Sequence, residues 1–102
     1  MATRRRVAWT LEARRTLEEV LEFIARDSPE GARRVLEQAL AAARSLSTLS
    51  ERGRVVPERA DPAIREIFVY RYRLMYRVSE ESVAILAFIH GARDFEQWRS
   101  ES

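Results

Sequence analysis

Residues 64–78 read IREIFVYRYRLMYRV, and the fold is decided there. Ile64-Arg65-Glu66-Ile67-Phe68-Val69 and Tyr72-Arg73-Leu74-Met75-Tyr76-Arg77-Val78 are rich in β-branched and aromatic residues, with room between them only for a turn, which predicts a β-hairpin. In the second arm, Tyr72, Leu74, Tyr76 and Val78 share one face while Arg71, Arg73, Met75 and Arg77 share the other. Side chains alternate along a strand, so one face is expected to be core and the other polar. Downstream, Ser79-Glu80-Glu81-Ser82 reads as a turn, and Val83 to Ile89 is continuously apolar, as expected of a central strand covered on both faces. His90-Gly91-Ala92-Arg93-Asp94 ends that strand, and Phe95 with Trp98 at helical spacing predicts a short terminal helix.

Upstream of the hairpin, the segment Ser50 to Ala63 holds Gly53, Pro57 and Pro62 with no sustained period, and reads as a loop with room for a short strand at Val55-Val56. Further back the period becomes helical. Thr10 is a candidate N-cap, and Ala13, Leu17, Val20, Leu21 and Ile24 form one apolar stripe to about Arg26. Ser28 can cap a second helix with Pro29 in its first position, and Ala32, Val35, Leu36, Ala39, Leu40, Ala43 and Leu46 keep its face apolar. The connection is short enough to force an antiparallel helical hairpin. Thr3 to Trp9, with Val7 and Trp9 alternating, suits a first strand. The predicted order is β-α-α-β-β-β. This is an α+β fold of two layers, a helical hairpin packed on an antiparallel sheet of three to four strands with a short C-terminal helix, and residues 1–102 are expected to form a single domain.

Composition narrows the chemistry. There is no Cys, which excludes disulfides, thiolate zinc sites, iron–sulfur clusters and cysteine nucleophiles. All 18 basic residues are Arg, so Schiff-base chemistry, a phosphate-loop lysine and a lysine general base are excluded as well. The net charge is only +2, but residues 51–77 carry seven Arg against four acids, the basic block of the chain. No apolar run reaches the roughly 18 residues of a membrane span, and no apolar signal core follows Arg4, Arg5 and Arg6, so a cytoplasmic protein is expected. One His without Cys offers no ligand cluster, and neither a metal nor another cofactor is expected.

An ordered set of short elements spans nearly the whole chain: Trp9-Thr10 before two helices, Asp27-Ser28-Pro29-Glu30-Gly31-Ala32 between them, Gly53-Arg54-Val55-Val56-Pro57-Glu58, Ile64-Arg65-Glu66, Tyr72-Arg73-Leu74-Met75-Tyr76, and His90-Gly91-Ala92-Arg93-Asp94. This set resembles the RelE/ParE superfamily of toxins from bacterial type II toxin–antitoxin pairs. The Gly-Arg…Pro-Glu, Ile-Arg-Glu and His-Gly-Ala-Arg-Asp elements are most similar to the ParE branch. That branch implies a poison of DNA gyrase, neutralised by a cognate antitoxin. The RelE branch implies instead a ribosome-dependent mRNA endoribonuclease.

The two branches ask different things of the same residues. An RNase must activate a ribose 2′-hydroxyl, steady the charge on the phosphate and protonate the leaving oxygen, and Arg serves only the second need. The resemblance implies lysines as acid and base in several RelE-like enzymes, and this chain has none. A second pattern in the superfamily uses a Glu, an Arg and a His, for which Glu58, Arg73 and His90 stand at comparable places, with Arg77 as a further phosphate contact. His is the side-chain type whose charge ordinarily changes near neutrality, so proton transfer would run most simply through His90. The opposing reading makes His90 a capped or core residue at the end of a buried strand. Arg71, Arg73 and Arg77 can grip phosphate or acidic protein surface, or else form a solvated face paired with Glu66 across the hairpin. On the ParE reading, Arg93, Phe95 and Trp98 join them as target-contact candidates.

Overall fold

The computed structural model describes residues 4–92 of the 102. It contains β1 (Arg6–Trp9), α1 (Leu11–Ala25), α2 (Pro29–Ser45), β2 (Arg54–Val55), β3 (Ile64–Val69), β4 (Tyr72–Val78) and β5 (Ser82–His90). Both helix starts follow from their caps. The Thr10 hydroxyl accepts the Ala13 amide at 3.1 Å, and the Ser28 hydroxyl accepts that of Gly31 at 2.9 Å ahead of Pro29.

The strands form one five-stranded sheet in the order β1-β5-β4-β3-β2. Two expectations need correction. The sheet has five strands rather than three to four, because Arg54-Val55 pairs with Arg65-Glu66 along the outer side of β3. Nor is it wholly antiparallel: β1 runs parallel to β5, Arg6 beside Ser82 and Trp9 beside Ile85. The helical hairpin returns the chain to the end of the sheet where β1 finished, and the successive antiparallel turns from β2 to β5 leave β5 running the same way as β1. The terminal helix expected around Phe95 and Trp98 lies outside the described residues.

α1 and α2 cover one face of the sheet. Ala13, Leu17, Val35, Ala39, Ala43 and Leu46 meet Ile67, Val69, Leu74, Tyr76, Val83, Ile85 and Phe88 in the main core. The reverse face departs from the expected polar surface. Val56, Ile64, Met75, Ala87 and Ile89 form a second apolar cluster there, roofed by the 50–63 loop through Val56. Burying Val56 in this cluster contributes about 1.5–3 kcal/mol toward holding the loop against the sheet.

One irregularity in β5 determines which side chains meet. Tyr76 lies opposite Ile85 while Met75 lies opposite Ala87, leaving Leu86 as an extra residue. A bulge of this kind shifts the alternation by one. Val83 and Ile85 face the helices before it, and Phe88 does so after it. The Thr16 hydroxyl accepts the Phe88 amide at 2.9 Å and ties α1 to the strand just beyond the irregularity. His90 is thereby turned to the helix side of the sheet.

Candidate functional site

The strongest polar construction lies on the reverse face. β3 presents Glu66 and β4 presents Arg73 to that side, while β2 and the loop bring Arg54 and Glu58 over them. Arg73 Nε donates to Glu66 Oε1 at 2.6 Å, and its two terminal nitrogens donate to Glu58 Oε2 and Oε1 at 2.8 and 2.7 Å. The other oxygen of Glu66 accepts from Arg54 Nε at 2.6 Å. The chain Glu58–Arg73–Glu66–Arg54 thus alternates in charge. Its inner members are deeply buried, with the Glu66 side chain 0% exposed and that of Arg73 4%. The forked bond to Glu58, aided by the bond to Glu66, pushes the Arg73 guanidinium further above its ordinary range against the opposing effect of burial.

Gly53 allows β2 to approach this closely. A Cβ there would stand 2.5 Å from both the Glu66 carbonyl oxygen and the Tyr76 hydroxyl. The Gly53 amide instead donates to that hydroxyl at 3.0 Å. Burial pushes the Tyr76 phenol above its ordinary range. Nearby, Arg77 Nη1 donates to Asp61 Oδ2 at 3.1 Å. The Asp61 carboxyl is held below its usual range, first by the Ala63 amide and then by Arg77.

Glu58 and Arg73 therefore come together, as the Glu-Arg-His pattern requires, but His90 does not join them. It stands opposite Tyr72 in the register, with its ring edge-on to that of Tyr72 at 5.9 Å. Together with Thr16, Glu19, Val20, Phe23 and Phe88 it lines a cleft of about 240 Å³ beside α1. Its Nδ1 accepts the Ala92 amide at 3.1 Å, a local cap on the strand end. The sheet lies between this cleft and Arg73. Among the remaining candidates, Arg71 is exposed at the hairpin tip and Arg77 is held by Asp61, whereas Arg93, Phe95 and Trp98 lie outside the described residues. Among the described residues, no three His, Asp or Glu side chains gather as a metal ion would need. Nor is any helix among them long and apolar enough to cross a membrane.

Sequence reasoning missed the surroundings of the hairpin tip. Phe68 is 54% exposed and Tyr70 61%, although both sit in a segment whose pattern reads as core. Tyr70 has φ 56°, left-handed backbone that a bulky residue rarely adopts. The Arg54 guanidinium lies 5.6 Å from the centre of the Phe68 ring. The run Val69-Tyr70-Arg71-Tyr72, a two-residue turn without Gly or Asn, is the signal that could have drawn attention to it.

Comparison with known proteins agrees with this architecture. Residues 7–95 match the family described as the ParE toxin of the type II toxin–antitoxin system parDE. "Putative toxin Y4kP" of Sinorhizobium fredii is 33% identical over 97 residues, covering 93% of this chain and 97% of its own. Among solved structures, the chromosomal ParDE toxin–antitoxin system from P. aeruginosa superposes with a TM-score of 0.68 at 18% identity, over 84% of this chain and 95% of that one, a likeness of fold. The toxin–antitoxin complex RelBE2 from Mycobacterium tuberculosis gives 0.60 at 28% identity, over 89% and 95%. A helical hairpin on a five-stranded mixed sheet, with these relatives, defines a toxin of the RelE/ParE superfamily. Within that class, the chain belongs to the family of ParE toxins of type II toxin–antitoxin systems.

Proposed function

We propose that this toxin acts by binding rather than by cleaving RNA, as a ParE-like poison of DNA gyrase that a cognate antitoxin holds inactive. The observation that carries the reading is the separation of His90 from Arg73 and Glu58 by the sheet. Acid–base cleavage needs its proton carriers and its phosphate clamp around one phosphate, within hydrogen-bond reach. The cation meant for that phosphate is already gripped by two carboxylates, and Glu58 would repel the anion that displaced it. Family membership supports gyrase as the target. The likeness to the ParDE toxin–antitoxin system and to the RelBE2 toxin–antitoxin complex supports an antitoxin as partner. The cytoplasm is then the place of action.

The endoribonuclease reading is the alternative, favoured by the likeness to the RelBE2 complex. A supercoiling assay separates the two. With purified gyrase, ATP and relaxed plasmid, rising toxin is expected to inhibit supercoiling, with relief by antitoxin. No inhibition at saturating toxin, together with mRNA cleavage on programmed ribosomes, would overturn the proposal.

A further inference from the structure

The tip of the β3–β4 hairpin is built at a cost that its fold does not require. A two-residue turn with positive φ is made most easily by Gly or Asn, yet Tyr70 occupies that position. The residue stays mostly in solvent, 61% exposed. Strain of this kind persists where the side chain is needed for something other than stability. Phe68, 54% exposed, stands two residues away. Between this tip and α2 lies a depression of about 530 Å³, lined by Ala41 and Ala42 from α2 together with Arg52, Phe68 and Tyr70. No carboxylate lines it. Arg52 lines the depression and Arg71 follows Tyr70 in the turn, and neither makes an ion pair among the described residues.

The backbone narrows the class of partner. β2 pairs with β3 only as far as Arg54 beside Glu66. The Ile64 carbonyl accepts Val56 N–H on that outer side, so by alternation the peptide groups of Glu66 and Phe68 point the same way. Those of Phe68 thus meet an edge that β2 leaves open. An extended polypeptide matches such an edge in register, whereas a nucleic-acid strand does not. Exposed Tyr and Arg beside a recess partly lined by small residues are also the composition of a protein-binding centre.

We infer that the hairpin tip, through Tyr70, Phe68, Arg71 and Arg52, is the surface by which the toxin grips its protein target, engaging an acidic, extended segment that seats an apolar side chain in the depression. The inference rests on the proposed action by binding and names the surface that performs it.

The test uses the full chain and two variants, Tyr70→Asn and Arg71→Glu. Asn tolerates left-handed backbone, so Tyr70→Asn is expected to melt at or a few degrees above the wild-type temperature. A merely structural Tyr70 would melt lower on substitution. In cells, induction of either variant is expected to lose growth arrest. With purified gyrase, the half-inhibitory concentration is expected to rise at least about tenfold, as for the loss of a binding hot spot. Full growth arrest by both folded variants would overturn the inference. If arrest depends on Tyr70 while wild-type toxin leaves gyrase untouched, the surface stands and the gyrase reading falls. Tyr70-dependent binding of a labelled single-stranded 12-mer that poly-glutamate does not compete would reassign the tip to nucleic acid and also overturn it.

Discussion

Replacing Arg73 by Ala tests whether the reverse-face charge chain holds the fold. The substitution leaves Glu66 fully buried with one remaining cation, Arg54, whose side chain is 59% exposed and screened by water. Removing one partner of a buried pair costs about 3–5 kcal/mol, because the surviving charge has lost its compensation. Arg54 still holds the other oxygen of Glu66, so the low end applies, about 3 kcal/mol. At about 4–8 °C per kcal/mol for a domain near this size, the melting temperature is expected to fall by about 12–24 °C. Removing both buried charges tells a different story. Glu66→Leu with Arg73→Met removes one buried charge of each sign together, and the side chains of Arg54 and Glu58 that contacted them both reach solvent. That double variant is expected to be more stable than either single variant. Circular dichroism melts and urea titrations at pH 7 measure both effects. An Arg73→Ala protein melting within about 4 °C of wild type, or a double variant as unstable as the sum of the singles, would show that the charge chain does not hold the fold.

Three further outcomes follow from neighbouring groups. Tyr76→Phe orphans the buried Gly53 amide and should cost about 1–3 kcal/mol at neutral pH. The folded state also keeps a phenolic proton that the unfolded chain releases, so wild-type stability should fall as pH rises above about 10, and the Phe variant should show a flatter alkaline limb in melts across that range. Gly53→Ala drives a methyl against the Glu66 carbonyl and the Tyr76 hydroxyl. It should destabilise by about 1–3 kcal/mol, the usual range for overpacking, and an unchanged urea midpoint would count against the close approach. Asp61 has a lowered carboxyl pKa, so its stabilising contribution is present above the usual carboxylate range and lost as pH falls through it. Asp61→Asn should therefore weaken the dependence of melting temperature on pH below about 4, and an unaltered acid limb would contradict that assignment.

The helices and the central hairpin were legible because their signals are local. Thr10 and Ser28 cap as their chemistry dictates, and the apolar stripes of α1 and α2 face the sheet as their spacing predicts. β2 was only half visible, since two residues cannot display a period, and its pairing depends on Gly53 passing close to Glu66. The parallel partnership of β1 with β5 joins the two ends of the chain and leaves no local trace. The bulge mattered most for function. Alternation reveals a bulge only where polar and apolar residues alternate, and Val83 to Ile89 is apolar throughout, so the extra Leu86 is silent in the sequence. Counting from Val83 without it sets His90 on the side of Arg73, whereas the register turns it toward Tyr72. The fate of Arg73 was half legible: one reading paired the Arg face with Glu66 across the hairpin, as Arg73 is paired, but its burial was hidden. An Arg on a strand face reads as solvated, and only the loop folding over with Glu58 and Val56 buries it.

Action by binding, without His90 chemistry, can be checked by comparing wild-type toxin with His90→Ala in two parallel assays, gyrase supercoiling and mRNA cleavage on programmed ribosomes. The expected result is equal inhibition of gyrase by both proteins and no cleavage by either. Cleavage by wild-type toxin that falls by about 100-fold or more in a folded His90→Ala protein, with gyrase unaffected, would rule out action by binding alone and return His90 to the centre of an active site.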